Sequence, residues 1–133
     1  MSQTEGSLTP DPFADAIRNP GNPDHLMVLK PVKRRVRIYA GDTLLADSTR
    51  ALRVIEVGKS VYDPVVYIPG DDLVANFDRL AKSTHCPLKG DASYVAHNEE
   101  ELGWAYKNPI EPASAIKGFF AFWPHKTRLV EGE

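Results

Sequence analysis

The sequence holds a single cysteine, Cys86, among 133 residues. An internal disulfide is therefore excluded, which suits a reducing compartment. A structural zinc site built on cysteine pairs is excluded with it. No apolar run approaches the ~20 residues of a membrane-spanning helix. An excess of one charge is missing too. Sixteen Lys and Arg stand against 18 Asp and Glu, a formal −2, so there is no strong field to gather nucleic acid or anionic lipid. The first residues lack the basic-then-apolar order of a secretory signal. The default expectation is a cytoplasmic protein with neither nucleic acid nor membrane among its partners.

What is present is enough for one domain. A hydrophobic fraction of 42% over this length builds a core without room for two. Residues 1–24, with Pro10, Pro12, Pro20, Gly21 and Pro23 among polar neighbours, read as a flexible N-terminal arm. The globular part, 25–133, is expected to begin near His25, itself read as a surface or capping residue. From there the apolar pattern has a period of two. Strands are predicted at 36–40, 43–48, 51–57, 65–68, 92–97, 103–107, 119–123 and 127–130. Residues 119–123, Phe-Phe-Ala-Phe-Trp, are apolar on both faces and predict a central strand. One helix is predicted over 71–82, where Leu73, Phe77 and Leu80 recur at helical spacing behind two aspartates. A short helical turn is predicted over 111–116. The fold class that follows is mainly β: seven or eight mostly antiparallel strands in a sandwich or partly open barrel, with one short helix.

The stretch Ser83-Thr84-His85-Cys86-Pro87-Leu88-Lys89-Gly90 sets a cysteine beside a histidine and near a lysine. In extended backbone His85 and Cys86 point to opposite sides, and Pro87 favours that geometry at Cys86. His85 is thus a poor base for the thiol. Three readings stand: a small buried thiol in a turn, a nucleophile whose pKa Lys89 lowers, and a metal ligand. The first needs the fewest partners.

The same residues carry a resemblance. Cys86-Pro87-Leu88-Lys89-Gly90-Asp91-Ala92-Ser93-Tyr94 resembles the Cys-Pro-aromatic-Lys-Gly-x-Ala-x-Tyr signature of the bacterial domain of unknown function 427 family. Ala46-Asp47-Ser48, Arg50-Ala51, Glu56, Tyr67-Ile68-Pro69 with Asp72, Trp104-Ala105-Tyr106, Pro109, Ile116, Gly118 and Ala121-Phe122 agree with the family in order. The chain departs from the pattern at Leu88, where the family has an aromatic. The resemblance implies a small antiparallel fold of the β-tent kind, shared with zinc-binding relatives whose cysteine pairs are missing here. It implies no established activity. The family is sometimes labelled nucleotidyltransferase-like, but such enzymes need a Gly-Ser turn and spaced carboxylates for two metal ions. Gly70-Asp71-Asp72 reads more simply as aspartates at a helix start.

The remaining chemistry lies in strands. Glu56 shares a strand face with Leu52 and Val54, and burial there would raise its pKa unless a cation pairs with it. Arg50, on that face by alternation, and Lys89 are the expected partners. Tyr67, Tyr94, Trp104 and Tyr106 recur at a spacing that serves either a core or the walls of a pocket. Lys30, Lys33, Arg34, Arg35 and Arg37 form a basic run, read as protecting an exposed edge strand. The expected function is a small-molecule-binding module with an aromatic-walled pocket. Its ligand-binding residues are Arg50, Glu56, Tyr67, Lys89, Tyr94, Trp104 and Tyr106, with no metal and no cofactor. The alternative is an enzyme with Cys86 or Lys89 as nucleophile or base. A third reading gives the N-terminal arm a partner or a second copy of the chain, which leaves homo-oligomers open.

Overall fold

Alternation of apolar and polar residues becomes strand almost throughout. The computed structural model describes residues 13–132. Among them are eleven strands: β1 (Ile17–Asn19), β2 (Asn22–Pro31), β3 (Val36–Ala40), β4 (Thr43–Ser48), β5 (Leu52–Val57), β6 (Val65–Pro69), β7 (Asp78–Cys86), β8 (Gly90–His97), β9 (Glu100–Ala105), β10 (Phe119–Phe122) and β11 (Arg128–Glu131). Eight form one antiparallel sheet in the order β1-β2-β5-β6-β10-β9-β8-β7, and β11-β3-β4 form a second. Neither closes into a barrel. The mainly β, antiparallel expectation holds, with more strands than the seven or eight predicted.

The 119–123 prediction is realised as a two-sided strand. β10 lies between β6 and β9, and its odd residues Phe119 and Ala121, followed by Trp123, pack into one core while Phe120 and Phe122 pack into the other. The second core lies between the two sheets: Val36 and Ile38 of β3 and Leu45 of β4 meet Ile68, Leu102 and Phe122 of the large sheet. Each fully buried aliphatic of this kind stabilises by about 1.5–3 kcal/mol. The first core occupies the opposite face of the large sheet, where Met27, Val54, Tyr67, Tyr94 and Ala121 are joined by Leu88 and Ile116 from connecting turns.

Three expectations are corrected. The helix over 71–82 is absent. A single 3-10 turn, Gly70–Asp72, ends where Leu73 extends, and the amides of Val74 and Ala75 donate to the Leu45 carbonyl at 2.8 and 3.3 Å instead of continuing a helix. Leu73 and Phe77 then pack in the second core and Leu80 in the first, so the helical stripe is divided between two faces. Sheet also begins ahead of His25. Residues 17–19 and 22–24, assigned to the arm, form β1 and the start of β2; residues 1–12 lie outside the described residues. Here the breakers act as turn formers, with Asn19 Oδ1 accepting the Gly21 amide at 2.9 Å inside the Asn19↔Asn22 pair. Finally, the basic run leads into a central strand, not an edge. β3 has β11 on one side and β4 on the other, and Arg35 forks onto Asp47 of β4 at 2.7 and 2.5 Å. The turn over Glu111–Ile116 is present as a 3-10 segment that buries Ala113 and Ile116. Among the described residues no helix is long and apolar enough to cross a membrane.

Candidate functional site

On the first-core face, the pairing register sets chemically distinctive residues around one cavity of about 240 Å³. Cross-strand partners in a sheet share a face, so Tyr67↔Ala121, Ala121↔Trp104 and Trp104↔Tyr94 project one row across four strands. Ala121 is the only small side chain in that row. It leaves room for Tyr67 and Trp104 to meet edge-to-face, with centroids 6.4 Å apart and planes at 89°. The Trp104 indole N–H donates to the Tyr67 hydroxyl at 3.4 Å. Trp123 packs on Trp104 at 4.4 Å, and its own N–H donates to Glu101 at 2.9 Å. Val54 and Glu56 of β5 and Val65 of β6 extend the lining along the same face, and the exposed Tyr62 and Asp63 add to it from the connection between the two strands. Tyr106 follows Trp104 by two residues, on the same face, and completes the enclosure with Lys89.

Lys89 reaches the cavity through a tight hairpin. The Lys89 amide donates to the Cys86 carbonyl at 3.2 Å, and its carbonyl accepts from Ile110 at 2.9 Å. Gly90 closes the hairpin at φ +116°, with Ile110 N and Pro109 Cα each 3.1 Å from where a Cβ would stand. That conformation and that space both require glycine. The cysteine stretch is thus the end of β7, a tight turn over residues 87–89 and the start of β8.

The Lys89 ammonium donates to Glu56 Oε1, while Glu56 Oε2 bonds to His25 Nε2 at 2.8 Å. The histidine's tautomer follows from its other partner. Asn19 spends its oxygen on Gly21 and turns its amide nitrogen to His25 Nδ1 at 3.2 Å. Nδ1 therefore accepts, and Nε2–H donates to Glu56. Burial works to raise the Glu56 pKa, but the bonds from His25 and Lys89 outweigh it and hold the carboxyl below the usual glutamate value. Burial likewise opposes the charge of Lys89, and Tyr67 and Glu56 overcome it, so its pKa lies above that of an ordinary lysine. Burial raises the phenols of Tyr67 and Tyr106. At neutral pH the pair is Lys89⁺–Glu56⁻, with only 8% and 20% of the two side chains exposed.

Of the seven ligand-binding residues predicted, the structure brings together Glu56, Tyr67, Lys89, Tyr94, Trp104 and Tyr106. Arg50 stands apart. β5 begins only at Leu52, so strand alternation does not extend to Arg50, which pairs with Asp72 at 3.0 Å. Asp72, read as a helix-start aspartate, accepts from Ser48 at 2.7 Å as well. Cys86 is half-buried and packs against the first core without lining the cavity. His85 bonds to Asp91 at 2.8 Å, on the solvent side, and gives the thiol no base. Leu88, where the family pattern has an aromatic, is fully buried in the core and not in the cavity wall. Among the described residues no group of three or more His, Cys, Asp or Glu is placed to hold a metal ion.

Sequence reasoning missed His25, Tyr62, Asp63 and Trp123. A signal existed for His25, since His25, Met27 and Leu29 alternate onto one face once β2 is recognised, and Met27 pairs with Glu56. Tyr62 and Asp63 sit in an irregular connection, where no periodicity applies.

Fold and site together define a β-rich protein of two antiparallel sheets that encloses an aromatic cavity around a buried lysine–glutamate pair. A family model described as Domain of unknown function (DUF427) matches residues 28–132. The chain belongs to that family. No curated protein matches the sequence.

Proposed function

We propose that the chain is a small-molecule-binding module, with the aromatic cavity as its site and Glu56 and Lys89 as polar anchors. The observation that carries this reading is the convergence of five aromatic residues predicted or found at Tyr67, Tyr94, Trp104, Tyr106 and Trp123 with one buried ion pair around one cavity. Small-ligand sites characteristically combine apolar and aromatic walls with a few fixed polar groups. The volume, about 240 Å³, suits a compact ligand of one ring or one branched headgroup. Preorganisation supports the same reading, because Glu56 is held from two sides and both indoles are locked by their N–H bonds. The enzymatic alternative draws less support. A general base must be unprotonated, whereas Lys89 is held charged, and Cys86 is not among the residues that line the cavity.

A thermal-shift screen of small metabolites against the wild type and Trp104→Ala tests this. Ligand at about 100 times its Kd stabilises the folded state by ~2.7 kcal/mol. Hits that raise the melting temperature of the wild type but not of a folded Trp104→Ala variant are expected. Equal shifts in both proteins would overturn the assignment of the site.

A further inference from the structure

We propose that the cavity selects a small organic cation, an alkylammonium group seated against ring faces with Asp63 as its counter-charge. The inference rests on the ligand-pocket reading above and adds the ligand's chemical class.

Three observations on the cavity wall converge on it. First, the wall is rich in ring faces and poor in free indole donors. Tyr62, Tyr67, Tyr94, Trp104, Tyr106 and Trp123 all contribute, yet the Trp104 N–H is given to Tyr67 and the Trp123 N–H to Glu101. What the indoles leave for a ligand is the negative face of the π system, which attracts ammonium groups. Second, the charges do not cancel. Glu56, Asp63 and Lys89 are the charged residues of the lining. Lys89 and Glu56 neutralise one another, and His25, which bonds the same carboxylate, is not part of the lining. Asp63 has no hydrogen bond or ion pair among the described residues. The cavity therefore carries one uncompensated negative charge beside its aromatic walls. Third, the protein's own ammonium groups already lie against these rings. Lys82 Nζ, outside the lining and paired with Glu101, stands 4.3 Å from the Tyr94 ring centroid, and Lys89 Nζ, within the lining, 6.0 Å from that of Tyr106. An anionic ligand, by contrast, would have to draw Lys89 away from Glu56 and face Asp63.

The test uses choline and its uncharged isostere, in which a quaternary carbon replaces the nitrogen. Both tryptophans of the chain line the cavity, so intrinsic fluorescence reports occupancy directly. The expected result is saturable quenching by choline, at least roughly fivefold tighter than by the isostere. Asp63→Asn, a change on an exposed loop, is expected to weaken choline binding several-fold and leave the isostere unaffected. Equal affinity for both probes would overturn the cation inference while leaving the pocket reading intact. No response to choline would overturn it as well, and the pocket reading would then stand or fall on the thermal-shift comparison with Trp104→Ala.

Discussion

Trp104 meets Tyr67 edge-to-face across the side chain of Ala121, from strands that are not neighbours in the sheet. The contact exists because the intervening strand presents its smallest residue at that point. Ala121 is fully buried, so a larger side chain has nowhere to go but between the rings. Ala121→Leu is expected to cost about 1–3 kcal/mol through overpacking. It should also part Trp104 from Tyr67, which a changed tryptophan emission maximum at unchanged far-UV circular dichroism would report.

Glu56 and Lys89 form the polar half of the site, and their coupling is open to measurement. Glu56→Gln leaves a buried ammonium without its counter-charge and is expected to destabilise by about 2–4 kcal/mol in urea unfolding. Adding Lys89→Met should recover part of that loss, because a well-packed apolar pair avoids the desolvation of both charges.

The same pair sets a pH dependence. Glu56 titrates below its ordinary value of 4.5 when folded, so its contribution is complete above that pH and is lost as the pH falls through the lower, folded value. Lys89 titrates above its ordinary 10.5, so its contribution is complete below that pH and is lost as the pH rises through the higher, folded value. Asp47, Asp72 and Glu101 are also depressed and steepen the acid limb together. The diagnostic quantity is therefore the difference between wild type and Glu56→Gln, which should be constant through neutral pH and shrink below about pH 4.5.

Close backbone approach limits one position beside the cavity. A Cβ on Gly103 would overlap the Ala121 carbonyl oxygen of the neighbouring strand. Because the obstacle is backbone, it cannot rotate away. Gly103→Ala is expected to cost about 2–4 kcal/mol or prevent folding, whereas Gly41→Ala meets nothing within 4 Å and bears only the strain of its φ of +58°, about 1–2 kcal/mol.

Cys86 provides a control. Since the thiol packs on the core without lining the cavity, Cys86→Ala should leave ligand affinity within about twofold while costing about 1 kcal/mol of stability. A binding or catalytic function abolished by this change would restore the nucleophile reading.

Where one principle governed a segment, the sequence was readable. Val65-Val66-Tyr67-Ile68 and Phe119-Phe120-Ala121-Phe122 alternate between two cores, and both became interior strands. Reading failed where two periodicities were available. Leu73, Phe77 and Leu80 fit a helix equally well, and only the hydrogen bonds from Val74 and Ala75 to Leu45, made after the fold exists, decide for extended chain. The site divides the same way. Tyr67, Tyr94 and Trp104 could be grouped because strand parity puts them on one face. Arg50 is misplaced because alternation is carried beyond the strand, which starts only at Leu52, and His25 escapes notice because a turn built from Asn19, Pro20 and Gly21 resembles a breaker. Asp63 carries no local signal, and its place in the lining depends on the course of the loop between β5 and β6.

The most direct measurement is a pair of mass spectra on freshly purified protein, one under native and one under denaturing conditions. The account predicts a discrete additional mass in the native spectrum that disappears on denaturation and is absent from Trp104→Ala. An additional mass that survives denaturation, or persists in the variant, would contradict it, placing the ligand on Cys86 or elsewhere on the surface.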